Sequence, residues 1–257
     1  MRFCVKLSFS DIYAKKLSNT YFQFKQFRIE QSRCSMKVCT DACVQGAYAA
    51  DWLTQSNKDM KRILDIGTGT GLLALMLAQK NPSVHFDAIE LNQQAYLQAK
   101  ENFIRSPWSG NISVVQGDIK TAEIHPRYDF IICNPPFYEN EMKSDKPHKN
   151  QSKHSSALSH RELRDSITRY LTENGTACIM LPRKQFDWFN QLMVNDNFSV
   201  RYLLRVRQTP AHPCFRMIGF FNKNITSTVT EELCICQTDQ EYSREFKALL
   251  KDYYLYL

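Results

Sequence analysis

No run in this 257-residue chain approaches the length of an apolar transmembrane helix, so no membrane partner is expected. The opening Met-Arg-Phe-Cys-Val-Lys-Leu-Ser-Phe-Ser lacks a long apolar core and a small-residue cleavage site, so no secretion signal is expected. Internal repeats and low-complexity segments are missing, which excludes solenoids and arrays. The nine cysteines contain no Cys-x-x-Cys spacing, either in Cys34, Cys39, Cys43 or in Cys234, Cys236, so no metal site is expected. Their odd number, and the place of Cys133, Cys178, Cys234 and Cys236 inside apolar runs, fit a reducing, cytoplasmic setting. Acidic residues are nearly absent from two stretches. Residues 1–40 hold eight Lys or Arg against Asp11 and Glu30, and residues 201–223 hold Arg201, Arg205, Arg207, Arg216 and Lys223 with no acid. With a net charge of +7, that concentration points to a polyanionic partner.

What is present reads as an alternating chain. Residues 1–20 show no clean period and read as a flexible N-terminal arm or an extra start. Residues 21–29 alternate Phe22, Phe24, Phe27 and Ile29 with Lys25 and Arg28, the pattern of a half-buried strand or hairpin whose basic and aromatic residues suit single-stranded nucleic acid. Thr40 and Asp41 are N-cap candidates for a helix through Trp52. From Lys61 onward strands and helices alternate, predicting an α/β fold with a mostly parallel sheet. The tail turns to consecutive strands at 200–206, 215–221 and 228–236, read as antiparallel additions at one edge. The polar stretch 139–159 reads as a mobile loop beside the site.

Three glycines, Gly67, Gly69 and Gly71, stand between a predicted strand and a predicted helix, the context of a cofactor loop. Their Gly-x-Gly-x-Gly spacing is not the dinucleotide fingerprint, and no Gly-Lys-Ser/Thr follows, which argues against a nucleoside triphosphate. Asp65 ahead of the glycines repels a pyrophosphate and suits a cationic amino group. Glu90, closing the second strand, can accept from two ribose hydroxyls, and Asp118, closing the third, from an adenine amino group. These carboxylates describe an amino acid joined to adenosine without phosphate: S-adenosylmethionine. The fourth strand, Tyr128–Cys133, ends at Asn134-Pro135-Pro136-Phe137, where two prolines force the chain out of the sheet in a stiff turn. The turn presents an amide acceptor and an aromatic ring at the carboxyl edge, where open α/β sheets bind ligands.

In order, Asp65-Ile-Gly-Thr-Gly-Thr-Gly, Glu90, Gly117-Asp118 and Asn134-Pro-Pro-Phe resemble the motifs of class I, Rossmann-like amino-methyltransferases. More closely, Phe22-x-Phe-Lys-Gln-Phe, Arg33-Cys-Ser-Met-Lys-Val-x-Thr-Asp-Ala, Thr209-Pro, Arg216 and the terminal Leu249-Leu-Lys-Asp-Tyr-Tyr-Leu resemble the tRNA1(Val) adenine-N6 methyltransferase family. The likeness runs from about Tyr21 to the end. Cys39, where a small residue is usual, and the polar Cys43-Val-Gln run, where the family is leucine-rich, depart from it.

The resemblance implies a seven-stranded, mostly parallel sheet with helices on both faces and antiparallel C-terminal strands. It divides the chain into the arm at 1–20, a substrate-binding or lid region at 21–57 and a methyltransferase domain at 58–257. It implies methyl transfer to the N6 amino group of an adenine, adenine 37, in a tRNA anticodon loop. Asn134 and the Pro135 carbonyl would accept the amine's hydrogens, Pro136 would set the turn, and Phe137 would stack on a flipped base. The implied cofactor set is Asp65, Gly67, Thr68, Gly69, Gly71, Glu90, Leu91, Asp118, Thr40 and Asn134. The implied RNA-binding set is Lys25, Arg28, Arg33, Lys37 and Arg216. The same turn also serves methylation of a protein glutamine amide or an rRNA guanine N2, and the basic, aromatic ribbon at 21–37 favours RNA over protein.

Overall fold

The computed structural model describes residues 19–56, 60–124, 127–136, 158–223, 227–238 and 241–257. Most of the expected arm, Phe137 and nearly all of the expected loop at 139–159 lie outside the described residues.

The aromatic–basic ribbon forms a hairpin of its own, apart from the main sheet: β1 (Tyr21–Gln23) pairs antiparallel with β2 (Arg28–Glu30). The turn closes where the Phe24 amide donates to the Phe27 carbonyl at 2.9 Å. Phe24, Phe27 and Ile29 are buried, whereas Lys25 and Arg28 stay exposed. An isolated two-stranded ribbon is marginal in water, so its aromatic face must be covered. Tyr254 covers it, bridged to Phe24, and the Asn102 side chain accepts from the Glu30 amide at 3.0 Å.

Helix α1 (Thr40–Gln55) follows. The expected caps are not used. Cys39 occupies the N-cap position in extended conformation with no side-chain capping bond, and Thr40 already belongs to the first turn. Asp41 is drawn instead to Arg216, 2.7 Å from its Nε, since a charged pair outbids a neutral capping bond. Then come β3 (Arg62–Ile66), α2 (Leu72–Lys80), β4 (His85–Glu90), α3 (Gln93–Ile104), β5 (Ile112–Gln116) and β6 (Tyr128–Cys133). The chain ends with α4 (His160–Tyr170), β7 (Leu171–Leu181), α5 (Arg183–Val194), β8 (Phe198–Arg207), β9 (Cys214–Lys223), β10 (Val229–Cys234) and α6 (Arg244–Leu250).

The sheet runs β10-β8-β9-β7-β6-β3-β4-β5. Among the described residues it holds eight strands where seven were expected, and the strand expected at 228–236, β10, pairs parallel with β8 at the outer edge rather than antiparallel. Antiparallel pairing is confined to the ladders of β9 with β7 and β8. The short link from β8 to β9 leaves no room for the helix a parallel crossover needs. Side chains alternate between two cores. Phe130 and Ile132 face α1 and α2, while Tyr128, Ile131 and Cys133 face α4 and α5. Burial of each such aromatic or branched side chain stabilises by about 1.5–3 kcal/mol, so β6 is anchored on both faces up to its last residue. Chain order reverses between β3 and β6, opening a crevice at their carboxyl ends. Among the described residues no helix is long and apolar enough to cross a membrane.

Candidate active site

The glycine loop opens that crevice. Gly67, Gly69 and Gly71 have φ of 69°, 59° and 84°, left-handed values that cost other residues energy. Gly67 and Gly69 line the cleft, and a Cβ on either would meet nothing within 4 Å. Gly71 does a different job: its Cβ would strike Phe103 at 2.4 Å, so glycine there lets α2 start against α3. The Gly67 and Thr68 amides donate to the Ile89 carbonyl at 2.9 and 3.1 Å, and the Gly69 amide donates to Glu90 Oε2 at 2.9 Å. Under the loop, Thr68 Oγ1 donates to Asp65 Oδ2 at 2.6 Å. Asp65 is buried, and desolvation pushes its pKa up to about 7, opposed by the Thr68 bond and helped by the Glu90 charge. Its Oδ1 has no hydrogen-bond partner among the described residues, and the Ala74 amide nearby also favours the ionised form.

The cleft measures about 410 Å³. Ile66, Gly67 and Gly69 form its floor, Glu90 and Leu91 one wall, Asp118 and Ile119 the next, and Asn134 and Pro136 its far end. Glu90 Oε1 accepts from the Asn92 amide at 2.8 Å, so each carboxylate oxygen keeps a lone pair for a ligand hydroxyl. Asp118 Oδ1 accepts from the Lys120 amide at 3.0 Å, and Lys120 Nζ reaches Glu162 at 3.0 Å. Arg33 lines the rim with its guanidinium 2.7 Å from Glu101. The cations at this cleft are thus matched by acids, which suits a cofactor without phosphate. Burial and the Glu90 charge push the Cys34 thiol up to about 11, and burial raises Cys133 well above the ordinary thiol range. Both stay protonated, which argues against a covalent thiolate route.

At the far end, Asn134 Oδ1 is shielded from solvent and has no hydrogen-bond partner among the described residues. An unmet buried acceptor costs about 1–3 kcal/mol, which an incoming N–H donor would recover. One residue that the sequence reading did not single out fastens this corner. Pro135 and Pro136 have no amide to close a turn onto the Cys133 carbonyl. Gln45 of α1, fully buried, supplies that donor through Nε2 at 3.0 Å. A buried amide on an otherwise apolar helix was the available signal; its partner was not readable from spacing.

The other expected site residues scatter. Leu91 is half-exposed on the cleft wall. Thr68 braces Asp65 from beneath. Thr40 is not on this cleft; it lines a separate groove with Thr209, His212 and Tyr242, because the Asp41–Arg216 pair ties the head of α1 to β9. Lys25 is turned away from the site. It donates to the Lys251 carbonyl at 2.5 Å, beside Lys80 and Asp252 at the end of α2, toward the amino edge of the sheet. Arg28 lies over the Tyr21 ring and pairs with Glu30 at 2.7 Å. Lys37 donates to the Asn19 carbonyl at 3.2 Å. Phe137 lies outside the described residues. Among the described residues no cluster of His, Cys, Asp or Glu side chains could hold a metal ion.

Residues 49–185 match the family model of the methyltransferase small domain. The fold is similar to that of a predicted O-methyltransferase of Agrobacterium tumefaciens, with TM-score 0.63 and 13% identity over 82% of this chain and 95% of that one. A putative class I S-adenosylmethionine-dependent methyltransferase of Listeria monocytogenes gives TM-score 0.58 and 14% identity over 79% and 67%. Two Salmonella proteins, from S. typhi and S. enteritidis, are 38% and 37% identical to this chain, each across 92% of its length and 95% of their own. Both carry the name tRNA1(Val) (adenine(37)-N6)-methyltransferase. With a floor of open glycines, strand-end carboxylates and an unmet amide acceptor behind those matches, the chain belongs to the tRNA1(Val) (adenine(37)-N6)-methyltransferase family.

Proposed function

We propose that this chain binds S-adenosylmethionine along the glycine loop and methylates the N6 amino group of adenine 37 in the anticodon loop of tRNA1(Val). The observation that carries the reading is the solvent-shielded Asn134 Oδ1, without a hydrogen-bond partner among the described residues, at the end of the glycine-floored cleft. When bound, the cofactor supplies an electrophilic methyl group on a sulfonium.

Every other part belongs to the chain. Gly67 and Gly69 leave room for the methionine end, over the Asp65 charge. Glu90 accepts from the ribose hydroxyls, and Asp118 accepts from the cofactor's adenine amine. The target amine is a weak nucleophile because its lone pair is delocalised into the ring. Accepting its hydrogens at Asn134 Oδ1 and the Pro135 carbonyl favours a pyramidal nitrogen and offsets the positive charge it gains. The stiff proline turn holds both acceptors in place, which contributes through positioning. Arg33 and Lys37, close to the rim, are offered as contacts for the RNA. The names of the Salmonella relatives favour this reading over methylation of a glutamine amide or a guanine.

Incubating the protein with labelled cofactor and tRNA from a strain lacking the gene tests it. Label is expected in N6-methyladenosine on nucleoside mass spectrometry. Label in a protein fraction, or in a guanine nucleoside, would refute it.

A pH dependence follows from Asp65. Its carboxyl titrates at about 7, and only the ionised form attracts the ligand's ammonium group. Cofactor affinity is therefore expected to rise several-fold between about pH 6 and pH 7.5 by linkage. Calorimetry should find the dependence flattened in Asp65→Asn. The same raised value means that the free fold is favoured by this group below the ordinary carboxylate range and loses that contribution as pH rises through 7.

A further inference from the structure

Helix α5 begins in an unfavourable way. Its N-cap is Pro182, with no side-chain capping bond, and its first turn holds no acid. Arg183 and Lys184 occupy its first two positions, both exposed and neither bonded to another described residue. Asp187, one turn on, pairs with neither. Cations at the positive end of a helix dipole are repelled, so the fold alone gives no reason for two of them. Gln185, third in the helix and only 7% exposed, keeps an Oε1 with no partner among the described residues. A glutamine at that position normally accepts from the N-cap amide, which Pro182 lacks. The helix head is left with two free cations and one unmet acceptor.

Its position gives the two cations a partner. Ile179 on β7 is level with Cys133 on β6, so three residues later Pro182 and Pro136 leave the sheet side by side. The head of α4 lies on the same edge: Leu158 lines the cleft, and Arg161 sits three residues beyond it. Arg161 lies over the half-buried Trp188 ring of α5, at 5.9 Å, and His160 packs against the same ring at 5.1 Å. A basic, aromatic surface therefore flanks the catalytic corner on the side away from the glycine loop.

We propose that the heads of α4 and α5 grip the RNA strand next to the target adenine, Arg183 and Lys184 holding a backbone phosphate while Trp188, backed by Arg161, offers a stacking face. This rests on the tRNA reading above. It assigns RNA contact to residues outside the set expected from the sequence, and it leaves out Lys25, which faces the other edge. Phosphates attract unpaired cations at a helix head, and bases stack on aromatics whatever their identity.

The double variant Arg183→Gln, Lys184→Gln tests the surface. With the wild type as reference, binding to an anticodon stem-loop RNA is measured against salt, alongside steady-state methylation of tRNA. The slope of log affinity against log salt is expected to fall by about one to two units, and KM for tRNA to rise about tenfold. Cofactor affinity and kcat at saturating tRNA should hold, and Tm should stay level or rise as repulsion from the dipole is removed. Lys25→Gln should leave the slope unchanged. A wild type that methylates tRNA while the double variant keeps its slope and KM overturns the surface alone. So does a loss of slope in Lys25→Gln equal to that in the double variant. A wild type inactive on tRNA overturns the functional reading itself.

Discussion

Asn134→Ala is expected to cut turnover about 10³-fold, worth roughly 4 kcal/mol of transition-state stabilisation, while changing cofactor affinity by no more than about threefold. The asymmetry follows from where the side chain acts. Its Oδ1 has no partner among the described residues, so alanine removes no bond seen there. The glycine loop, Glu90 and Asp118, which hold the cofactor in the proposed complex, are bonded within their own loops and not to Asn134. What is lost is the acceptor that the target amine meets as it gains charge. Single-turnover methylation of tRNA, with cofactor binding by calorimetry, separates the two effects. Equal rates in variant and wild type would remove Asn134 from the mechanism. A parallel fall in both quantities would make it a cofactor residue instead.

Glu90→Ala should produce the largest loss of cofactor affinity, about a hundredfold, or roughly 2.7 kcal/mol. The carboxylate serves twice. It accepts from the Gly69 amide at 2.9 Å and from the Asn92 amide at 2.8 Å, which sets the loop, and it is the ribose acceptor in the proposed complex. A hydrogen bond to a charged group contributes about 1.5–3 kcal/mol, so losing the ribose pair and loosening the loop together reach that figure. Glu90→Gln keeps one acceptor and should lose about tenfold. Calorimetry on both variants checks the order. Affinity unchanged in the alanine variant would put the cofactor elsewhere in the molecule.

The strands were legible because β3 and β6 are buried on both faces and therefore continuous in apolar residues. The glycine loop was legible because three left-handed positions in five residues leave little choice but glycine. Strand-end placement of Glu90, Asp118 and Asn134 followed from the alternation alone. The helix start at Thr40 was misread, since the capping preference of Asp41 competes with a cation 175 residues away in sequence that no local rule can see. The strand at 228–236 was legible, but its direction was misread for a related reason: β10 pairs parallel with β8, and the choice of neighbour is not written in its own pattern.

By itself the sequence determined the order of the elements, the left-handed glycine loop and the amide that stands at the proline turn, since each depends on residues close together in the chain. Tertiary structure alone decided which charges stand near that turn. It took Lys25 to the opposite edge and Thr40 to another groove, brought Gln45 onto the Cys133 carbonyl before the prolines, and put Arg183 and Lys184 at the head of α5. Composition can count cations. Where each one comes to rest depends on strand order and on long-range ion pairs, which only the folded chain brings together.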